Sequence, residues 1–556
     1  MSNHVKTWVI IGEVVLFTGI VLGIWYYRQL DDFSLARDEH GEIQDSTDYL
    51  YGPASYSTLA RGEELARAHC AGCHLLPEPE SLPPAGWRPV LENMAVRMGM
   101  AHEQKYLAEK HVGLIEGLKR FNQYPPAPVL SKQDYRVLKK YYYAGAADPD
   151  AVRPPRADPV ATLFRTARTV DLPRTDLTLV RIHPANNTLY AGGMVHDRPG
   201  DPDGFLAALG ADLNERSRVT TASPPVALRL SPAFPDGLLT TLGDPSGAGR
   251  TAAGVYRLDA RLGTKTIIEK PVRLTETAQI ARANQVRANQ ARPDLVLTGF
   301  GALTGGLYWL PEGEAAREVA LENEAGPVAV RTLDADGDGQ EDFAVLIAQA
   351  REALAVYRYG DRADAVPTRT TVARYHPAFG ATGLETGDFN GDGRPDLLVV
   401  SGDNADFPGA PAKADHGLRI YLNESRPGRI AFREAYFFPM YGATRAVAAD
   451  FDGDGDLDIA AVALYAYRES ERLLYLEQTG PLDFIPMRLP LPESNSTPVC
   501  GVLDAGDLDG DGDPDLVLGA LPYFSDPEGL GKAARGRARP VLYYLENSRE
   551  TQENRP

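Results

Sequence analysis

The chain is predicted to be a multidomain protein in three parts: a single membrane-crossing helix, a small all-α domain and a large all-β array of repeats. Three observations predict it. Thr7 to Tyr27 is an apolar run of the length a helix needs to cross a bilayer. Within residues 56–146, a Cys-x-x-Cys-His run precedes segments whose apolar residues recur at helical spacing. From Asp334 onward an Asp-x-Asp-x-Asp-Gly-x-x-Asp pattern occurs four times, each copy leading into an apolar, strand-like segment. The boundaries implied are an anchor over 1–28, a linker over 29–55, the all-α domain over 56–146, a second linker over 147–160, the β array over 161–548 and a tail over 549–556.

The anchor carries its own orientation signal. Lys6 precedes the run, whereas Arg28 is followed by Asp31 and Asp32, so the N-terminus is expected in the cytoplasm and the bulk of the chain outside it. Ile24-Trp25-Tyr26-Tyr27-Arg28 reads as an interfacial aromatic belt with no small-residue cleavage site, which argues against a removed signal peptide. Gly19 and Gly23 form a small-xxx-small pair, and Glu13 is ionisable within the span. Both occur in helices that contact other helices, although ordinary membrane-helix composition and snorkelling account for them as well.

Cys70-Ala71-Gly72-Cys73-His74 reads as a c-type haem attachment site: two thiols bind the porphyrin and His74 becomes the proximal iron ligand. A thioredoxin-like pair lacks its strand-helix-strand context here, and a zinc site lacks a second Cys pair. The sixth ligand is open among Met94, Met98, Met100, His102 and His111. Met94 and Met98 lie four apart and share one helical face, so one is placed to ligate while the other packs. Ser131 caps an amphipathic helix over Tyr135 to Tyr142 that resembles the closing helix of small class I cytochromes c. The loop before it holds Asn122-Gln123-Tyr124-Pro125-Pro126 where those proteins usually carry a ligand Met.

The repeats begin at Asp334, Asp388, Asp450 and Asp507, spacings of 54, 62 and 57 residues that match one structural unit each. Loop positions one, three, five and nine are Asp334, Asp336, Asp338 and Asp342; Asp388, Asn390, Asp392 and Asp396; Asp450, Asp452, Asp454 and Asp458; and Asp507, Asp509, Asp511 and Asp515. At position seven stand Gln340, Arg394, Asp456 and Asp513, whose backbone carbonyls are the expected further donors. An all-oxygen set of this kind suits calcium, a hard ion taking six to eight oxygens in flexible geometry. An EF-hand is excluded, because the flanks are strand-like and no bidentate Glu follows at position twelve. About four structural Ca²⁺ are therefore expected, with no implication of catalysis.

These loops, together with His416 to Asn423 and Met440 to Asp450, resemble the FG-GAP or VCBS repeats of integrin-α-like β-propellers. With Cys70 to His74 and Trp87 to Gly99 added, the chain from about Tyr56 onward resembles bacterial proteins that join a monohaem cytochrome c to such a propeller. The resemblance implies Met94 as the distal ligand, one covalent haem c, and a bacterial inner-membrane protein with a periplasmic bulk. Arg292-Pro293-Asp294 matches only the end of the loop pattern, so its blade should be metal-free, and fainter units lie over Leu179 to Met194 and Val226 to Leu258. Seven blades result, with six or eight as alternatives. A strand near Leu163 to Val170 is expected to close the ring against Val541 to Leu545.

Composition bounds the function. The 43 Pro and 53 Gly suit a loop-rich β protein. The net charge of −19 falls to about −11 with four bound Ca²⁺; no basic patch argues for nucleic acid, and the acidity favours a basic electron-transfer partner. Cys500 is read as a buried strand residue and no disulfide is expected. No convergent set of His, Arg and Asp is visible outside the loops. The preferred reading is thus an electron-transfer protein rather than a catalyst with its own substrate, docking a membrane redox complex or a soluble carrier. The alternatives are a propeller dehydrogenase feeding its fused haem, and an adhesion or assembly protein using the insertion Ser401 to His416.

Overall fold

The structure is a computed structural model that describes residues 54–71, 75–120, 122–148, 157, 159–165, 168–196, 203–231, 234–243, 252–259, 261–280, 293–301, 305–360, 365–405, 410–466, 468–490, 498–522 and 539–548. The expected anchor over Thr7 to Tyr27 lies outside these residues. Among the described residues no helix is long and apolar enough to cross a membrane. Contacts divide the chain into two units, one comprising 1–153 with Tyr375–Phe379 and Asn404–Ala414, the other the remainder.

The first unit is helical. Helix α1 spans Tyr56–His69, α2 Pro84–Arg97, α3 Lys105–Lys110, α4 Val112–Arg120 and α5 Lys132–Ala144. Ser55 and Ser131 cap α1 and α5, their hydroxyls accepting from the N–H groups of Thr58 (3.2 Å) and Asp134 (3.0 Å), as serine does at helix starts. Pro84 opens α2, where its missing N–H costs nothing. The core is built from Trp87, Leu91, Tyr135, Leu138 and Tyr142. Two of its polar tips are satisfied: Trp87 Nε1 donates to the Pro79 carbonyl at 2.7 Å and the Tyr135 hydroxyl to that of Leu91 at 3.0 Å. Helix α1 packs on α5. A Cβ on Gly62 would collide with Tyr141 Cβ, so only glycine lets the two backbones approach this closely.

The second unit is a seven-bladed β-propeller, each blade a four-stranded antiparallel sheet. The innermost strands are Thr175–Ile182, Pro225–Ser231, Arg273–Ile280, Pro327–Leu333, Ala381–Gly387, Ala443–Ala449 and Cys500–Gly506, for blades 1 to 7 in order. Each neighbours the next, and the last returns to the first, so the ring is closed. The core lies between blades: Leu398, Val400 and Ile420 of blade 5 pack with Ala461, Leu474 and Leu476 of blade 6. A blade covered on both faces buries every side chain of its second strand, as in Asp342–Ile347, Asp396–Ser401, Asp458–Ala463 and Asp515–Ala520. That explains why the segments after the acidic loops read as unbroken apolar runs rather than alternating ones. Cys500 is buried at the start of its strand.

Closure uses a strand from ahead of the first blade. Arg168–Leu172 pairs antiparallel with Arg539–Leu545, Val170 opposite Leu542, and forms the outer strand of blade 7. This is the closure expected from the sequence, shifted a few residues along the chain, and it leaves blade 7 built from both sides of the array.

Gly62→Leu is expected to force α1 and α5 apart and to destabilise the helical unit by about 2 kcal/mol, in the range of overpacked sites. Limited proteolysis should then cut residues 56–144 at lower protease concentration while the propeller fragment stays resistant.

Candidate functional site

The four acidic loops occupy the same place in blades 4 to 7, joining the innermost strand to the second. Their first residues wrap around backbone donors. In blade 4, Asp334 accepts from Gly337 N (2.9 Å), Asp338 N (3.1 Å) and Gly339 N (2.9 Å). In blade 5, Asp388 accepts from the N–H groups of Asp392 and Gly393 at 3.1 and 2.7 Å, and in blade 7 Asp507 accepts from Gly510 and Gly512 at 2.6 and 3.1 Å. The loop can curl this tightly because its two glycines, Gly337 and Gly339 in blade 4, take positive φ (76° and 82°). Their surroundings are open, so backbone conformation and not space demands glycine.

Carboxylate oxygens converge within 4.8 Å from Asp334, Asp336 and Asp342 in blade 4, from Asp450, Asp452 and Asp454 in blade 6, and from Asp507, Asp509 and Asp511 in blade 7. In blade 5, Asn390 Oδ1 and Asp388 Oδ1 both accept from Asp392 N at 3.1 Å, and the Arg394 guanidinium lies 3.1 Å from Asp392 Oδ2. That guanidinium is a built-in competitor for a cation at this loop; in blade 4 the Arg358 guanidinium stands farther off, 3.8 Å from Asp336 Oδ2.

Position nine also carries a structural load: Asp342, Asp396, Asp458 and Asp515 are wholly buried, and each accepts a backbone N–H. Asp396 accepts from Phe389 N within its loop (3.0 Å) and from Asn423 N at the end of the third strand, Gly417–Asn423 (2.7 Å). Asp515 likewise accepts from Leu508 N at 3.0 Å and Asn547 N at 2.9 Å, and Asp458 from Phe451 N at 3.3 Å and Gln478 N at 2.8 Å. Burial pushes the carboxyls of Asp342 and Asp458 up to about 7, and those of Asp396 and Asp515 up to about 6. Asp342 Oδ2 and Asp456 Oδ1 are buried without a hydrogen-bond partner, the condition a cation would relieve. The donor set is all oxygen, so the residues fit a hard divalent ion such as calcium.

The loops also tie blades together. Asn423 Nδ2 donates to Pro395 O in its own loop (3.1 Å) and to Ala335 O in the loop of blade 4 (3.0 Å). Asn547 repeats this with Pro514 O (3.1 Å) and Phe451 O (2.7 Å). Gly428 N of blade 5 donates to Asp336 Oδ2 of blade 4 at 2.7 Å.

Blade 3 keeps the carboxylate without the acidic sequence pattern ahead of it. Asp294, wholly buried, accepts from Trp309 Nε1 (2.8 Å), Glu312 N (2.8 Å) and the Tyr359 hydroxyl of blade 4 (3.1 Å).

In the helical unit, Cys70 is the C-cap of α1, while Cys73 and His74 lie outside the described residues. Tyr142 neighbours Cys70, and burial pushes its hydroxyl far above the usual tyrosine range. Of the thioethers, Met100 and Met98 are buried and Met94 is only partly so. His102 is occupied by the Pro125 carbonyl at 2.9 Å, and His111 Nε2 lies 4.0 Å from Glu92.

The sequence shows no convergent set of charges outside the loops, and the structure corrects this. One charged residue from each innermost strand meets at the propeller axis: Arg181, Arg229, Glu276, Arg331, Glu385, Arg445 and Asp504, from blades 1 to 7 in order. Arg331 bridges its neighbours, bonding Glu276 Oε2 at 2.7 Å and both Glu385 oxygens at 2.5 and 3.1 Å. Arg181 pairs with Asp504 at 2.8 Å, and Arg229 reaches Glu276 at 3.4 Å. Burial alone would raise the Glu276 carboxyl; the Arg331, Arg229 and Arg445 charges and the Val330 N–H overcome it and hold the group at about 2.

The FG-GAP-like repeat family model matches residues 334–399, the loops of blades 4 and 5 with the strands between them. Integrin alpha-V of Gallus gallus is 28% identical over 237 residues, covering 38% of this chain; the chain spans about a fifth (21%) of that protein's length. Among solved structures, the Myceliophteria thermophila Cps50 (Swd1) β-propeller domain aligns at TM-score 0.39 and 12% identity, over 69% of this chain and 99% of that one. The N-terminal domain of Nup159 aligns at TM-score 0.38 and 9% identity, over 70% and 97%.

Asp294→Ala is expected to orphan two buried donors, Trp309 Nε1 and the Tyr359 hydroxyl, at about 1–3 kcal/mol each, so urea unfolding should show a loss of at least about 2 kcal/mol. Glu276 has its folded-state pKa depressed from 4.5 to about 2, so its contribution to stability is full above 4.5 and lost as pH falls toward about 2. Glu276→Gln should therefore lower the melting temperature at neutral pH, and the gap to the wild type should narrow as pH drops through that window.

Proposed function

We propose that this protein is a membrane-anchored periplasmic c-type cytochrome that carries single electrons, with a calcium-stapled propeller as its docking platform on a respiratory or photosynthetic membrane complex. The observation that carries the reading is the Cys70 to His74 run at the end of a capped helix in an all-α unit. Cys70 and Cys73 would hold haem c covalently and His74 and Met94 would ligate its iron, and the group would supply a one-electron couple. The chain's own residues support that group: Cys70 sits at the α1 terminus, beside an aromatic wall in which Trp87 and Tyr142 approach to 4.3 Å between ring centroids. Met94 is the more exposed thioether of its helix, which favours it over the buried Met98 as the sixth donor.

Calcium in the four loops would act structurally, relieving crowded carboxylates at places where adjacent blades are already bonded. The net charge of −19 suits docking to a basic electron carrier. A second reading, a propeller dehydrogenase that feeds its fused haem, draws support from the charged residues converging at the axis. Substrate-dependent haem reduction would distinguish it.

The deciding measurement is a pyridine haemochrome spectrum of the full chain purified from membranes of a host with c-type maturation. One c-type haem per chain is expected, and Cys73→Ser should lose covalent haem; a wild-type preparation free of haem sinks the proposal. Met94→Ala should abolish the Met-to-iron charge-transfer band, and an unchanged band would move the ligand to Met98 or Met100. Chelator should lower the propeller's melting temperature and added Ca²⁺ restore it, because the ion binds the folded state. Among single-loop knockouts, loss of the blade 5 site should matter least, since Arg394 already occupies part of it.

A further inference from the structure

We infer that the axis of the propeller binds a small tetrahedral oxyanion, held by Arg181, Arg229 and Arg445. Four guanidiniums and three carboxylates meet there, a surplus of one positive charge. Their bonding is unequal. Each carboxylate has fixed partners: Asp504 has Arg181 and Ile182 N (2.7 Å), Glu385 has Arg331 on both oxygens, and Glu276 has Arg331 and Val330 N (2.8 Å) through Oε2.

The guanidiniums of blades 1, 2 and 6 are left with spare donors. Arg181 Nε is buried without a hydrogen-bond partner. Arg229 makes only long bonds, to Thr277 O (3.3 Å), Val330 O (3.3 Å) and Glu276 (3.4 Å). Arg445 makes a single side-chain hydrogen bond among the described residues, from Nη1 to Thr382 O at 2.6 Å.

Exposure sorts the charges in the same direction. The Arg181 and Arg229 side chains are 36% and 25% accessible, whereas those of Asp504 and Glu276 are 7% each. Glu385, at 28%, is the one accessible carboxylate, and Arg331 holds both its oxygens. A solute entering the axis therefore meets guanidinium N–H groups first, with most of the carboxylate charge behind them. Planar, fixed N–H forks suit the oxygen edges of phosphate- or sulfate-class anions, and charge-assisted bonds of this kind are among the stronger ones available. Arg181 and Arg229 also stand on adjacent blades with no acid between them, and the field of Arg181 disfavours the charge on Arg229. An anion between them removes that repulsion.

Sulfate is the probe, because phosphate would compete for calcium. Calorimetric titration of the calcium-loaded full chain, at ionic strength held constant with sodium chloride, should show one saturable sulfate per chain. The Arg181→Met/Arg229→Met variant should bind at least tenfold more weakly. Arg445→Met, which removes a single described hydrogen bond and no described ion pair, should weaken binding in a chain that still folds, as judged by a single cooperative melting transition. In wild-type crystals soaked with selenate, the anomalous selenium peak should lie among these three arginines. Absence of saturable sulfate binding, undiminished affinity in the Arg445 variant, or a selenium peak elsewhere overturns the proposal.

Discussion

The propeller depends on a buried carboxylate set at the head of the second strand. Asp294, Asp342, Asp396, Asp458 and Asp515 are all wholly buried, and each accepts backbone or side-chain donors that belong to different segments of the blade. One side chain thereby fixes the acidic loop, the start of the second strand and the end of the third. In so dry a setting an unmet carboxylate would be far costlier than an exposed one. Blade 3 separates the two jobs of the position: it lacks the acidic sequence pattern yet keeps the aspartate, with the indole of Trp309 and the hydroxyl of Tyr359 as its partners. Anchoring the strand is the older requirement in physical terms, and cation binding is built upon it.

That layering explains how blades cooperate. Asn423, which ends the third strand of blade 5, and Asn547, just after that of blade 7, donate both to their own loop and to the loop of the preceding blade. A cation that stiffens one loop therefore stiffens a joint between two sheets. The axial charges work at the other edge of the same sheets, where Arg331 alone links three successive innermost strands. Cores between blades are apolar and set no unique partner, whereas these polar links are directional.

What the sequence disclosed follows from which features are local. The acidic loops are nine contiguous residues whose chemistry is complete in itself, and the four blades that carry them were legible at once, as was the Ser131 cap on its helix. Blades 1 and 2 were faint because their turns carry no such pattern, leaving only short apolar runs. Gly62 gave no signal, since its role depends on Tyr141, far along the chain. The axial ring was missed for the same reason. Arg331, Glu385 and Asp504 each stand three residues before a loop's first aspartate, but each is a lone charge in an apolar strand, and only ring closure brings them together. Blade 6 breaks even this regularity, with Val447 at that offset and Arg445 two residues earlier.

The closing strand sets a schedule on the protein's synthesis. Residue 168 leaves the ribosome 371 residues before residue 539, the far end of the strand it must join. At about 5–20 residues per second, that interval is on the order of 20–70 s. By its end six blades are complete and the seventh lacks its outer strands, so the nascent ring presents unpaired edges at both ends. The strand that begins at residue 539 is thus the one that removes the aggregation risk. A chain truncated before 539 would be a nearly complete propeller with its most adhesive surfaces left open.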